Sequence, residues 1–443
     1  MVQFYRPKPA AKIHSNIEVT IIELDQFGQG VAKHQGKTIF VNGALPGEQV
    51  IVTVTESKRH FSRANVVTLL RRSPERQSPR CGHYGQCGGC QQQHISRELQ
   101  QQSKAKALSR LMQHACEQPI VVSEVISAEA WHYRRRARLS LYWDSAKRHL
   151  VMGFRRHNSK KIIAITQCPV LDRSLERLLV PLSELLAQLD AAPSLGHLEL
   201  VAADNGTLMI LRHLRPLPDQ DRQQLLQFCL HYQIGLFFDS GTEMQGLEQI
   251  TGPQPEYQIN SLRLKFNPQD FIQVNAEINQ QMVNCARRWL DLKADDRLLD
   301  LFCGMGNFTL PLSLDVQQAT GIEGVQSLVD TARENAQRNQ LEHVSFWQHD
   351  LQQSLRDQPF AKANFNKVLL DPARAGANEV MAQLIQLQPE RIVYVSCNPA
   401  TLARDSRVLL FAGYRLVKLA MLDMFPQTSH LECIVLFTKS GLP

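Results

Sequence analysis

The sequence lacks any run of the roughly 18 to 20 apolar residues that a membrane-spanning helix requires. Its start, MVQFYRPKPAAK, lacks the apolar core of a secretory signal. No membrane partner is therefore expected, and the cytoplasm is the expected compartment. Acidic residues are scarce at one end only. Through Cys168 there are 11 Asp and Glu against 26 Lys and Arg, whereas the remaining 275 residues carry 31 against 23. Such polarity argues against an evenly charged surface and points to an anionic partner held by the N-terminal third. With 43% hydrophobic and 21% charged residues, the 443-residue chain is neither disordered nor fibrous. At roughly 150 residues per domain it has length for about three domains. Its ten cysteines, in a reducing compartment, serve disulfides least readily; a cluster suggests metal and an isolated thiol suggests catalysis.

From Ile17 to about Leu70 the pattern is short β-rich runs, IEVTIIEL, KTIFV, EQVIVTVTE and ANVVTLL, broken by glycine turns. A small β-barrel is expected over 10–70. A connector, RRSPERQSPR, leads to a cysteine cluster and a polar helix from about Ser96 to Ala115. Mixed strand and helix signals from Val121 to Phe266 read as an α+β domain, placed with the connector and cluster in 71–268. From Gln269 onward seven apolar strands alternate with amphipathic helices, which predicts a doubly wound, mostly parallel sheet over 269–443. Ligands of such a sheet lie beyond the carboxyl ends of its strands.

LLDLFCGMGN, from Leu298 to Asn307, is a buried strand entering a glycine turn. The third glycine of a dinucleotide fingerprint is missing where Thr309 stands, and no Gly-Lys-Ser/Thr phosphate loop is present. Those absences favour S-adenosylmethionine over a pyrophosphate cofactor. Glu323, ending the next strand, is placed to accept from a ribose diol, and Asp350, after the third, to receive an adenine amino group. Strand four ends in Asp371-Pro372-Ala373-Arg374 and strand five in Ser396-Cys397-Asn398-Pro399. Cys397 thus stands at a strand end in the cofactor crevice, where a thiol can act as a nucleophile. Cys303 and Cys433 read as packed thiols.

Cys81, Cys87 and Cys90 place three thiols in ten residues among four glycines, and Cys168, followed by Pro169, is the best fourth ligand. Spacing favours a [4Fe-4S] cluster, with a four-thiolate zinc site as its competitor.

The motifs FIQVN (271–275), DLFCGMGNF (300–308), GIE (321–323), LDPARAG (370–376), VSCNP (395–399) and FPQTSHLE (425–432) together resemble the RNA uracil-C5-methyltransferases. The resemblance extends over the whole chain and is nearest to the bacterial enzymes that act on 23S rRNA. It implies a multidomain α/β protein: a TRAM-like, OB-like barrel, an α+β central domain with a [4Fe-4S] cluster on Cys81, Cys87, Cys90 and Cys168, and a Rossmann-like, seven-stranded, S-adenosylmethionine-dependent catalytic domain. It assigns Cys397 as nucleophile and Glu432 as general base. Cofactor contacts fall on Gln273, Phe302, Asn307, Glu323, Asp350 and Asp371, with Phe271 and Pro372 against the uracil faces. The substrate it implies is one uridine of 23S rRNA, by resemblance uracil 1939, in a loop or flipped out of its stack; the protein is expected to act as a monomer.

Candidate phosphate contacts are Lys58, Arg59 and Arg63 in the barrel, Arg71, Arg72, Arg76 and Arg80 in the connector, and Arg134, Arg135, Arg136 and Arg138. Rival readings are an amino-group methyltransferase, which needs no thiol at strand five, and a cytosine-C5 enzyme, which generally carries a further cysteine in the strand-four motif, where 370–376 has none. A non-catalytic RNA-binding or ribosome-assembly factor would show eroded cofactor and nucleophile motifs, and here they are intact. Methylation of a different uridine, in rRNA or tRNA, is the alternative within the family.

Overall fold

The computed structural model describes residues 16–117, 119–241, 246–356 and 358–439. Positions 10–15 of the expected barrel and 440–443 of the expected catalytic domain lie outside them. The chain divides into two compact units, the first comprising, among described residues, 16–80, 90–107 and 427–430.

In the first unit, β1 (Asn16–Thr20), β2 (Glu23–Leu24), β3 (Gly30–His34), β4 (Lys37–Asn42), β5 (Gln49–Ser57) and β6 (Phe61–Arg71) form one sheet in the order β1-β5-β6-β4-β3-β2. Alternation explains its inside: in β5, Val50, Val52 and Val54 point inward while Gln49, Thr53 and Thr55 between them are more exposed. β1 also approaches β3, closing the sheet around Val19, Ala32, Ile39, Val41 and Ala64. Glu48 is fully buried and accepts from Leu45 N–H (2.8 Å) and from Arg76 Nε (2.6 Å) and Nη2 (2.8 Å). Burial alone would raise this carboxyl, but Arg76 and the backbone donors hold it below its usual value. Arg76 is therefore a structural tie and not the phosphate contact expected from its place in the connector. The strap 427–430 also belongs here. Gln91 and Gln92 each donate a backbone N–H to Gln427 O (3.0 Å), and the Gln100 and Gln427 side chains bond at 3.1 Å.

After the cysteine segment comes α1 (Arg97–Cys116), where the sequence predicts a helix. In the second unit, β7 (Glu124–Ile126) precedes a seven-stranded sheet of β8 (Arg136–Asp144), β9 (His149–Arg155), β10 (Ile162–Ala164), β11 (Leu195–Ala203), β12 (Gly206–His213), β13 (Ile234–Asp239) and β14 (Leu247–Thr251). Helices α2 (Arg173–Glu176), α3 (Leu179–Gln188) and α4 (Asp219–Tyr232) accompany it, with Leu179, Leu182 and Leu186 of α3 in its core. A two-stranded ribbon, β15 (Glu256–Ile259) and β16 (Leu262–Lys265), follows.

The third sheet carries the site. Its strands are β17 (Arg297–Leu301), β18 (Gln318–Glu323), β19 (Val344–Gln348), β20 (Lys367–Leu370), β21 (Arg391–Ser396), β22 (Tyr414–Leu422) and β23 (Glu432–Lys439). The order is β19-β18-β17-β20-β21-β23-β22-β7. The seven strands expected after Gln269 are all present. An eighth, β7, comes from the preceding part of the chain and pairs parallel to β22. Between them run α5 (Ala276–Leu290), α6 (Thr309–Ser313), α7 (Gln326–Arg338), α8 (Asn378–Leu387) and α9 (Pro399–Phe411). β17 and β20 are buried almost throughout because helices cover both faces, so they read as apolar runs without alternation. α5 is amphipathic: the Asn275 side chain caps its start by accepting Ile278 N–H, and Ile278, Met282 and Trp289 are buried. Each such side chain contributes about 2 kcal/mol of burial. Among the described residues no helix is long and apolar enough to cross a membrane.

Candidate active site

The glycine turn after β17 bends sharply, with Phe302, Gly304 and Gly306 all at positive φ (63°, 55° and 95°). Glycine tolerates this region, whereas phenylalanine there costs on the order of 1 kcal/mol, a strain typical of functional turns. A Cβ on Gly304 would meet no protein atom within 4 Å, so the turn faces open space. Behind it the packing is tight: a Cβ on Gly321 would lie 2.8 Å from Cys303 Sγ. Cys303 is buried and its thiol is pushed well above its ordinary range by burial, consistent with the packing role read from its position.

Three carboxylates converge here. Glu323 at the end of β18 accepts Gly304 N–H (3.1 Å) and Val325 N–H (3.0 Å). Asp300 in β17 is fully buried; one oxygen accepts from Thr309 Oγ1 (2.5 Å) and the other has no partner. Burial raises Asp300 to about 8, and the charges of Asp371 and Glu323 push the same way. Asp371, just past β20, is raised to about 7 by burial. An acidic cradle with an orphaned buried oxygen and an open glycine face fits a ligand carrying a sulfonium and an ammonium, and repels a pyrophosphate. Asp300 was not singled out from the sequence, although an acid ending a buried strand before a glycine turn is a readable signal.

The remaining cofactor candidates are arranged unevenly. The Asn307 amide exchanges hydrogen bonds with Asn279 (2.9 and 3.0 Å), and its oxygen also accepts from Tyr257 OH (3.0 Å). Gln273 is half-buried, with its main-chain carbonyl accepting from Arg135 Nε (2.8 Å). Asp350 is exposed and caps its own turn through Gln352 N–H (3.0 Å). Phe302 is half-buried against the core beneath the sheet, while Phe271 is 72% exposed.

The nucleophile and base candidates are brought together by strand register. β21 and β23 run antiparallel with Ser396 opposite Cys433, so Cys397, one residue on, and Glu432, one residue back, flank the same end of the ladder. Asn398 holds the nucleophile turn: its side chain caps α9 through Ala400 N–H (3.2 Å), and its backbone bonds Ser396 Oγ (3.1 Å). Burial pushes the Cys397 thiol up, the Glu432 and Asp371 carboxylates push it further, and Arg374 pulls it back. Arg374, which the sequence showed only as part of DPAR, is thus the cation that favours thiolate.

The basic run after Trp131 differs from expectation. Arg135 is only 5% exposed; its guanidinium lies 4.9 Å over the Tyr257 ring and bonds the Gln273 carbonyl, so it braces the FIQVN segment and does not face solvent. Arg136 is bound to Glu199 (2.8 Å) and the Asp270 carbonyl. Arg134 donates to the Arg136 carbonyl (3.0 Å). The Arg138 side chain remains 65% exposed. In the barrel, Lys58 and Arg63 are exposed beside Glu56.

Among the described residues no cysteine is in a disulfide, and no group of three or more His, Cys, Asp or Glu is arranged to hold a metal ion. Cys81, Cys87 and Cys168 are half-buried. Cys87 Sγ accepts Gly89 N–H (3.4 Å), and Cys81 faces the N–H groups of His83 and Tyr84. Burial raises both thiols, and N–H donors aimed at sulfur suit thiolates. Segment 81–89 lies on the stretch leading to Cys168, through Gly88 N–H to Arg155 O (3.0 Å) and Thr166 N–H to His83 Nε2 (3.3 Å).

Residues 96–440 match the family model described as tRNA (Uracil-5-)-methyltransferase, and residues 11–67 match the TRAM domain. Relatives named 23S rRNA (uracil(1939)-C(5))-methyltransferase RlmD from Erwinia tasmaniensis and Klebsiella pneumoniae are 52% and 53% identical over 439 residues. These alignments span 99% of this chain and 100% and 99% of theirs. The Pyrococcus abyssi tRNA (uracil-54, C5)-methyltransferase, solved with S-adenosyl-L-homocysteine, shares the fold, with a TM-score of 0.75 at 24% identity over 95% of this chain and all of its own. A TRAM domain followed by a cofactor sheet ending in Cys397 and Glu432 is the arrangement these matches describe, and the chain belongs to the tRNA (uracil-5-)-methyltransferase family.

Proposed function

We propose that the protein methylates C5 of one uracil in 23S rRNA, at the position named for its relatives, uracil 1939, using S-adenosylmethionine. The observation that carries the chemistry is the Cys397–Glu432 pair at one end of the β21–β23 ladder, beside the acidic cradle. Uracil C5 is a weak nucleophile until C6 is occupied. Cys397 thiolate adds to C6, and the C5=C6 electron pair moves toward the C4 carbonyl as an enolate. The cofactor supplies an electrophilic methyl on its sulfonium, and C5 takes it. Glu432 then removes the C5 proton, and the released pair re-forms C5=C6 and expels Cys397 as thiolate. Arg374 favours the thiolate at the start and again as it leaves.

Gln273, Phe302, Asn307, Glu323, Asp350 and Asp371 are the proposed cofactor contacts, with Glu323 best supported by its place beside the open face of Gly304. The proposed RNA-binding parts are the TRAM domain and the exposed basic residues. The uridine is taken from a loop or flipped out, because C6 is inaccessible in a stack. Cys81, Cys87, Cys90 and Cys168 are proposed to hold a [4Fe-4S] cluster, supported by their spacing and by the N–H donors at Cys81 and Cys87, and no catalytic step passes through it. The protein is proposed to work in the cytoplasm as a monomer.

Glu432→Gln tests the mechanism. Thiolate addition and methyl transfer precede the step given to Glu432, so the variant should accumulate as a covalent adduct with methylated RNA. A slow band on a denaturing gel that requires both Cys397 and S-adenosylmethionine is expected. Near-normal turnover without adduct would remove Glu432 as the base.

A further inference from the structure

The turn between β20 and α8, which carries Asp371, Pro372 and Arg374, is held by one face of α9. Asn398 Nδ2 donates to Arg374 O (3.0 Å), Thr401 Oγ1 to the same carbonyl (3.4 Å), and Arg404 Nη2 to Ala375 O (2.9 Å). Asp405 Oδ2 accepts Ala377 N–H (2.8 Å). Positions 398, 401 and 405 are spaced three and four apart, so they share a helix face. Asp405 is fully buried, and the same Oδ2 accepts from Tyr394 OH (2.7 Å) while Oδ1 accepts from Arg404 Nε (2.8 Å). Tyr394 is itself fully buried in β21, three residues before Cys397. One carboxylate therefore joins the strand that ends at the nucleophile, the helix that follows it and the turn opposite. The turn is shaped to the carboxylate: Gly376 has φ of 81°, and a Cβ there would lie 2.6 Å from Asp405 Oδ2.

We propose that Asp405 is a positioning residue for methyl transfer, locking the 371–377 turn onto α9 so that Arg374 stays beside the Cys397 sulfur and Asp371 stays at its strand end. A buried carboxylate is costly unless fully bonded, and an apolar contact would stabilise the same helix packing at less cost. What the carboxylate adds is direction, through donors from three segments. The inference rests on Cys397 as nucleophile, and the cation it keeps in place is the group that opposes burial at that thiol.

The test uses the full-length protein as Asp405→Asn and Tyr394→Phe, each checked for S-adenosylmethionine binding. The pH profile of Cys397 alkylation by iodoacetamide, followed by peptide mass, reads the thiol without substrate. Direct removal of a negative charge would lower the thiol midpoint, whereas loss of Arg374 from its place raises it. Asp405→Asn is expected to move the midpoint up by about one pH unit. It should lower kcat roughly 100-fold with the KM for S-adenosylmethionine changed by less than about threefold. Tyr394→Phe should do the same to a smaller degree, and it decides alone if the first variant does not fold. An alkylation midpoint that is unmoved or lowered, whatever happens to kcat, would overturn the proposal. Failure of the nucleophile reading is seen separately, as turnover by Cys397→Ala.

Discussion

Cys397 works against its surroundings: two carboxylates and partial burial disfavour the thiolate, and Arg374 alone among the named charges favours it. Cys397→Ala should lower turnover to below about 1% of wild type, since covalent activation has no substitute, while binding of S-adenosylmethionine, measured calorimetrically, stays nearly intact. Asp300 and Asp371 give a second prediction. Burial raises them to about 8 and about 7, so between roughly pH 4 and 8 the folded chain keeps protons that the unfolded chain has released. Stability therefore falls as pH rises through that window. His94, held down to about 4 by burial, acts in the opposite sense only below its ordinary value of about 6.5. The ligand-free protein should thus melt at a lower temperature at pH 8.5 than at pH 6.5, by a difference that shrinks in Asp300→Asn, where the amide oxygen can still accept from Thr309. An equal pH dependence in the two proteins would show that Asp300 is ionised throughout. Cys397 was legible because its motif ends a strand; the unpartnered oxygen of Asp300 was not, because orphaning depends on which groups the fold brings near.

The elements of the catalytic sheet were legible because each alternates with a helix and each strand is an apolar run. β7 was not: three residues, Glu124–Ile126, carry too little pattern, and only their pairing with β22 defines them. The basic run 134–138 shows the limit more sharply. Four arginines read as one surface, but strand alternation from β8 buries alternate positions, and isolated bridges from Arg134 to Leu171 and Asn275 draw the run's start inward. Arg138→Ala should reduce the salt dependence of RNA binding by about one unit of slope. Arg135→Ala should leave the slope unchanged and destabilise the fold by about 1–3 kcal/mol, because the Gln273 carbonyl loses its donor. Salt titrations with thermal melts on the two variants separate these roles; a reduced slope for Arg135→Ala would return it to the RNA surface.

At the scale of the whole molecule, charge and chemistry are divided. The sequence through Cys168 holds the basic excess, and the acidic cradle, Cys397 and Glu432 lie beyond it. That division was visible in composition alone, since it needs only counting. The two compact units were not, because 90–107 and 427–430 join the first unit through bonds such as Gln100 to Gln427, across 327 positions of sequence. Anaerobically purified protein should contain iron and inorganic sulfide, both lost when Cys81, Cys87, Cys90 or Cys168 becomes Ser; stoichiometric zinc without iron would replace the cluster with a zinc site. The central claim is methylation of uracil C5 in 23S rRNA through Cys397, and mass mapping of unmodified 23S rRNA after incubation with the protein and S-adenosylmethionine tests it most directly. One new 5-methyluridine, at position 1939 and absent with Cys397→Ala, is the expected result. A methyl group on another base type, on tRNA alone, or still formed by Cys397→Ala would contradict it.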